Sequence, residues 1–418
     1  MTTASRWAAA AAAFVFCAFR VGATEPSHDS IAYKMAPHDP LTLPAQVGQK
    51  MFSDTSLSAS GKLACTSCHD PDHAYAPANS LAVQRGGKSM SDSGTRAVPS
   101  LRYKEYIPPY ADLLDNPDGI SIPGPGGGLT QDGRAPTLAE QAKIPLLSAN
   151  EMANRSAADV VARLRKSDYA DLFRQAFGAE VFADSQAAFQ KAMEALQAFQ
   201  MEDYSFHPYS SKFDLFAGNK IGGTFTPTER RGFAVFMNPQ KGNCFACHYS
   251  GAGLNGSVGM FTDYSYAAIG VPRNTEIPLN RRNRYYDLGI CARPDHPVPA
   301  NARYCGMFKT PTLRNVATRT VFFHNGKFKS LHEVIRFYNT RDTHPELWYP
   351  QVLGKVEKYD DLPPGFRANI DTQKPLDGRQ PGSAAPMTDQ DMDDLEAFLG
   401  TLTDDYQAPV KSAQAQVP

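Results

Sequence analysis

Two five-residue segments of this chain share one pattern, Cys65-Thr66-Ser67-Cys68-His69 and Cys244-Phe245-Ala246-Cys247-His248, 179 positions apart. In each, two thiols three positions apart stand immediately before an imidazole. Such a segment forms two thioethers to the vinyl groups of one haem and delivers its histidine to the iron as proximal ligand. A single copy is also compatible with a redox dithiol or half of a zinc site. Two copies, each ending in His and neither followed by a second cysteine pair, point to two covalently bound c-type haems. The expected cofactor-binding residues are Cys65, Cys68, His69, Cys244, Cys247 and His248, with His69 and His248 as axial iron ligands.

Of the seven cysteines, four belong to these segments and Cys17 to an apolar N-terminal run, which leaves Cys291 and Cys305. In an oxidising compartment that pair is expected to bond, and closing a loop of about 15 residues contributes about 3 kcal/mol in the chain-entropy account. Residues 1–23 read as a secretory signal: Arg6 precedes the apolar stretch from Trp7 to Phe19, and Val21-Gly22-Ala23 offers a small-residue cleavage site. The apolar stretch falls short of the roughly 20 residues that cross a bilayer, so no membrane span is expected once it is removed. Export implies the periplasm. Removing a leader that carries Arg6 and Arg20 takes the 42 basic residues to 40 against 43 acidic, a net charge of −3. That balance provides no basic field for nucleic acid.

Helices must position the two segments. Thr226-Pro227-Thr228-Glu229 is a capping-box start with proline in the first turn, followed by Phe233 and Phe236 on one face and a stop at Asn238-Pro239. Val47, Met51 and Phe52 form a weaker stripe before the first segment. Ser330-Leu331-His332-Glu333 opens another helix, with Leu331, Val334, Ile335 and Tyr338 facing inward, and Thr388 opens a last one lined by Met392, Leu395, Phe398 and Leu399. Residues 157–201 read as two helices. Strand signals are few, and the Pro/Gly-rich stretches 116–128 and 294–299 read as loops. The expected fold is mainly α, with two haem domains, long loops and little β structure.

Further segments carry a family resemblance: Asp132-Gly133-Arg134-Ala135-Pro136-Thr137-Leu138-Ala139-Glu140-Gln141-Ala142, Glu151-Met152, Phe308-Lys309-Thr310-Pro311-Thr312-Leu313-Arg314-Asn315-Val316 and His324-Asn325-Gly326. In content and order they resemble the bacterial dihaem cytochrome c peroxidase and MauG family, over about residues 40–405. The resemblance implies two cytochrome c-like domains: an N-terminal, peroxidatic one over 24–215 and a C-terminal, electron-transfer one over 216–405, followed by a flexible tail over 406–418. It implies that the haem on His69 meets hydrogen peroxide and that Gln141, Pro145 and Glu151 line its distal side. Cleaving the O–O bond requires a proton moved from one peroxide oxygen to the other, which a carboxyl group can shuttle while an amide orients the oxygens.

Three departures stand out. Typical members carry a blocking histidine in the loop after the first haem motif, whereas Gln84-Arg85-Gly86-Gly87-Lys88-Ser89-Met90 has none. The resemblance places the second haem's sixth ligand, Met in the peroxidases and Tyr in MauG, immediately before the His-Asn-Gly turn, where this chain has Phe323. Met307, His324 or a nearby tyrosine are the remaining candidates. A tryptophan usually precedes Asp-Gly-Arg, and here that position is Gln131. The family also implies a calcium ion between the domains, against which stands the replacement of an expected asparagine around Ala97-Val98-Pro99. The expected activity is peroxide reduction with electrons from a small cytochrome c or cupredoxin. The alternatives are a MauG-like oxidase acting on side chains of a partner protein substrate and a non-catalytic electron carrier. Gln141 and Glu151 speak against the carrier, which has no use for a distal acid.

Overall fold

Helix α1 (Leu43–Ser53) begins where the Thr42 hydroxyl accepts from the Ala45 amide and a proline occupies its first turn, and it buries Val47, Gly48, Met51 and Phe52 on one face. The computed structural model describes residues 39–119, 123–252, 258–282, 284–293 and 302–408. The leader assigned to 1–23 and the end of the chain beyond 408 lie outside the described residues. After α1 come two short antiparallel hairpins, β1 (Arg85–Gly86) with β2 (Asp92–Ser93) and β3 (Ala111–Leu114) with β4 (Gly124–Gly126). Helices α2 (Leu138–Leu147), α3 (Ala157–Leu164), α4 (Ala170–Phe177) and α5 (Ser185–Glu202) complete the first half. The second half holds α6 (Lys212–Ala217), α7 (Pro227–Met237), hairpin β5 (Tyr266–Ala267) with β6 (Phe308–Lys309), α8 (Leu331–Thr340), hairpin β7 (Gln351–Val352) with β8 (Lys355–Val356), and α9 (Asp389–Gly400). The described residues are mostly helical, and their β structure is confined to these two-stranded pieces and isolated bridges.

The same crossing is built twice. In the first half α1 packs on α5 through Gly48, where any Cβ would strike the Ala195 carbonyl and the Phe199 side chain. In the second, α7 packs on α9 through Gly232, where a Cβ would strike the Asp394 carbonyl and Phe398. Around each crossing lies an aromatic-rich core, one running from Val47 to Phe206 and one from Phe213 to Leu402. The border expected at 215/216 passes through α6. Packing changes over between Phe206 and Phe213, because Ser211 and Asp214 form a capping box that starts a helix already committed to the second core.

Residues 157–201 hold three helices where two were expected. Gly178, with a φ of +102°, ends α4, and the Asp184 carboxylate accepts from the Gln186 and Ala187 amides to open α5. Both breaks are short, Arg165-Lys166-Ser167-Asp168 and Gly178 to Asp184, and a periodicity argument over the whole segment passes over them.

Candidate dihaem site

Each Cys-x-x-Cys-His segment starts as a single 3₁₀ turn, and the histidine amide closes it on the first cysteine carbonyl at 2.8 Å (His69 on Cys65, His248 on Cys244). That turn gathers the two thiols and the imidazole. His69 Nδ1 lies 3.0 Å from the Tyr75 carbonyl, and His248 Nδ1 lies 3.0 Å from the Phe261 carbonyl. A ring whose Nδ1–H is engaged by a carbonyl presents the Nε2 lone pair, the form an iron ligand needs. Burial lowers both imidazole pKa values to about 4, so both rings are neutral near pH 7.

A second pair of carbonyls, from Pro99 and Pro311, faces the same two rings. These prolines belong to Val98-Pro99-Ser100-Leu101-Arg102 and Thr310-Pro311-Thr312-Leu313-Arg314, an internal echo whose second copy alone stood out in the sequence. The arginine of each copy is buried on a carboxylate: Arg102 Nη1 donates to Asp404 at 3.0 Å, and Arg314 grips Asp214 through both terminal nitrogens at 3.0 and 2.8 Å. The repeated Pro-(Ser/Thr)-Leu-Arg pattern, one copy after each haem motif, is the signal that finds it.

Gln141 and Pro145, expected on the distal side of the first motif, stand one turn apart on α2, hence on one face. The chain then turns sharply, with the Met152 amide bonded to the Pro145 carbonyl and the Glu151 amide to the Ser148 carbonyl, and Glu151 folds back beside them. Its carboxylate is close enough to Cys68 to act on that thiol electrostatically. Burial raises the Glu151 pKa, opposed by a hydrogen bond from Ser148. The side chain of Gln141 makes no hydrogen bond to the described residues.

The loop that lacks histidine docks directly on this turn. The Gly87 amide donates to the Glu151 carbonyl at 2.8 Å, and Gly86 rests against Asn150 and Glu151 so closely that no side chain fits. Gly87 also takes a φ of +78°. Met90 at the loop tip packs against the first hydrophobic core.

The second motif opens onto a cavity lined by Cys244, Cys247, His248, Phe323, His324 and Tyr338. Phe323 sits among Phe328, Phe337 and Tyr338, its ring 5.9 Å from that of Tyr338. Tyr338 projects from α8 with no hydrogen bond to the described residues; burial, then Cys247 and Cys244, push its hydroxyl pKa up. His324 is stacked on Phe308 at 3.7 Å, with Nε2 3.6 Å from Asp361. Met307 lies outside the cavity lining, packed among Ile290, Leu362 and Ile370, next to the Cys291–Cys305 disulfide. Of the candidates for a sixth ligand, the structure brings Tyr338 and His324 to the cavity and leaves Met307 aside. Gln131 also lines it, its Nε2 donating to the Ala97 carbonyl at 2.9 Å and its buried Oε1 lacking a partner.

Paired thiols, a neutral imidazole with its Nε2 presented and, at the second motif, a mostly apolar cavity fit the requirements of c-type haem. The profile of the Di-haem cytochrome c peroxidase family matches residues 44–221. The methylamine utilization protein MauG of Paracoccus denitrificans is 33% identical, over 88% of this chain and 90% of its own length. This chain belongs to the dihaem cytochrome c peroxidase and MauG family. The cytochrome c551 peroxidase of Nitrosomonas europaea is 28% identical over 70% of the chain and 71% of its own. The solved structure of the diheme peroxidase BthA from Burkholderia thailandensis matches with a TM-score of 0.78 at 37% identity, covering 88% of each chain. The protein is accordingly a haem-dependent oxidoreductase of this family. Among the described residues, no helix is long and apolar enough to cross a membrane.

Proposed function

We propose that this is a secreted, periplasmic dihaem peroxidase that reduces hydrogen peroxide to water with two electrons from a small cytochrome c or cupredoxin, and that its peroxide site is open in the fully oxidised enzyme. One covalent haem at each motif supplies the redox iron. The chain's own residues supply the rest. Glu151, as carboxylate, takes the proton from one peroxide oxygen and returns it to the other as the O–O bond breaks and water leaves. Gln141 orients the oxygens with its free amide, and Pro145 fills space beside them. Two electrons and two protons then complete the conversion of one peroxide into two waters. At the second motif, where Phe323 has no donor atom, the Tyr338 hydroxyl would be the group that a haem iron there could draw on as a further ligand.

The observation that carries this reading is the pairing of Glu151 with a histidine-free loop: Gly86 and Gly87 hold the loop against the acid, and nothing in Gln84–Met90 except Met90 has a soft donor. Stopped-flow mixing of the diferric protein with peroxide tests it. A spectral change within seconds, followed by oxidation of added ferrous cytochrome c, is expected; an inert diferric enzyme that reacts only after partial reduction would contradict it. A second reading, oxidation of side chains on a partner protein, is favoured by a tyrosine in place of a methionine at the second haem, since an anionic ligand lowers the potential and disfavours uptake of electrons from a high-potential donor. In that case peroxide changes the spectrum but ferrous cytochrome c is not consumed.

A further inference from the structure

Buried cations in this protein generally sit on carboxylates: Arg96 on Asp132 and Asp287, Arg102 on Asp404, Arg314 on Asp214, Arg341 on Asp342, Lys212 on Glu229. The half-buried Lys104, Lys309 and Arg319 do not. None has a carboxylate within ion-pair distance among the described residues, yet all three line the cavity at the second haem motif. The Lys309 ammonium donates only to the Gly128 carbonyl, Arg319 donates to the Val98 carbonyl at 3.1 Å, and Lys104 makes no hydrogen bond to the described residues. Lys104 faces both Lys309 and Arg319, and Lys104 and Arg319 also act on the His69 ring, so the cluster reaches from one haem motif to the other. The nearest acids are engaged elsewhere. Asp132 holds Arg96 and Arg134, and Glu105 accepts from the Tyr209 hydroxyl at 2.5 Å.

Three cations facing one cavity without an anion are an unstable arrangement. Burial, then their mutual repulsion, lowers Lys309 to about 7 and Lys104 to about 8, and burial alone lowers Arg319 to about 10. Half-buried charge gathered on one cavity wall without a carboxylate calls for an anionic occupant. A haem carries two propionate carboxylates, and a cluster that lines the cavity of the second motif and also acts on the His69 ring would have such anions available from either motif.

We propose that Lys104, Lys309 and Arg319 form one cationic clamp for haem propionates of both haems, and that this shared charge raises and couples the two reduction potentials. This rests on the reading that each motif holds a haem. A positive charge near either iron favours its reduced state, so loss of one cation lowers both potentials. With the carboxylates in place the lysines stay protonated well above pH 8, and the potentials are level across the range where unpaired lysines of this kind would titrate. The groups facing the cluster, Asp132, Glu105 and the His69 ring, are paired or ligating.

Reductive titration of the holoenzyme, followed optically, tests the clamp. In Lys309→Gln, and independently in Lys104→Gln, the one-electron reduction constant of both haems is expected to fall by up to roughly tenfold, about 59 mV. Lys309→Arg should retain the wild-type values, and wild-type potentials should be flat from pH 6 to 9. Unchanged potentials in both Gln variants, a shift confined to one haem, or wild-type potentials that drop between pH 7 and 8 would each overturn the clamp. Intact mass separates this from failure of the dihaem reading: a wild-type protein with fewer than two haems refutes that reading, whereas two haems with unmoved potentials refute the clamp alone.

Discussion

The two halves of this molecule repeat one scaffold and differ where chemistry is decided. Both cross the helix before the haem motif with their last helix through a glycine, both hold the haem-motif histidine by an Nδ1 contact to a backbone carbonyl at 3.0 Å, and both follow it with a proline carbonyl facing the ring and a buried arginine. The proximal sides are thus nearly interchangeable. The distal sides are not. The first half places a half-buried Glu151 within electrostatic reach of its motif, and the second places Phe323 and Tyr338 within an aromatic shell. A shared scaffold fixes where a haem sits, and a few side chains opposite the histidine decide whether it turns over a substrate or passes electrons.

The sharpest way to break this comparison is to remove the distal acid. Glu151→Gln should slow the peroxide reaction about 10²-fold or more while haem content stays the same, because Gln keeps the shape but cannot carry the proton; rapid-mixing kinetics at equal haem concentration decide it. The pH profile sharpens the same point. The carboxylate is the competent form and burial raises its pKa, so the wild-type rate should fall as pH drops through a value above the ordinary carboxylate range. That acid limb should vanish in Glu151→Gln.

At the other haem, Tyr338→Phe should alter the optical spectrum and raise that haem's potential by about 59 mV or more, a decade in its reduction constant, while the first encounter with peroxide persists. Spectroelectrochemistry of the variant checks this, and an unchanged second haem would remove Tyr338 from coordination. The shared scaffold predicts a matched pair: Gly48→Ala and Gly232→Ala should each lower stability by about 1–3 kcal/mol, since a methyl group must displace a facing backbone carbonyl. Denaturant unfolding of the two variants tells whether the halves really bear the same strain. The smallest effect is expected at Met307→Ala, which should leave both haem spectra as they are, because that side chain packs beside the disulfide and away from the cavity.

Much of this was legible in the chain itself. The spacing within the haem motifs, and Thr226 and Thr388 as helix caps, depend on contacts within a few residues of each other, and such local patterns survive without a structure, whereas Gln141, Pro145 and Glu151 came from the family resemblance alone. The break of 157–201 into three helices was lost because its interruptions, Arg165–Asp168 and Gly178–Asp184, are only a few residues long. Ala97-Val98-Pro99 was read for its bearing on calcium, and its echo of the segment around Pro311 was not drawn.

What the sequence determined by itself is the cofactor chemistry: covalent attachment needs thiols and an imidazole at fixed short spacing, and that spacing is written in the chain. Tertiary structure decided which residues share a cavity. Phe323 announces that a ligand is missing but cannot say that Tyr338, 15 positions later on α8, comes to the same place while Met307 turns away. Likewise Lys104, Lys309 and Arg319 are unremarkable cations until folding strips their solvent and sets them together without an acid. Coulomb and desolvation energies depend on distance through space, and sequence separation does not encode it.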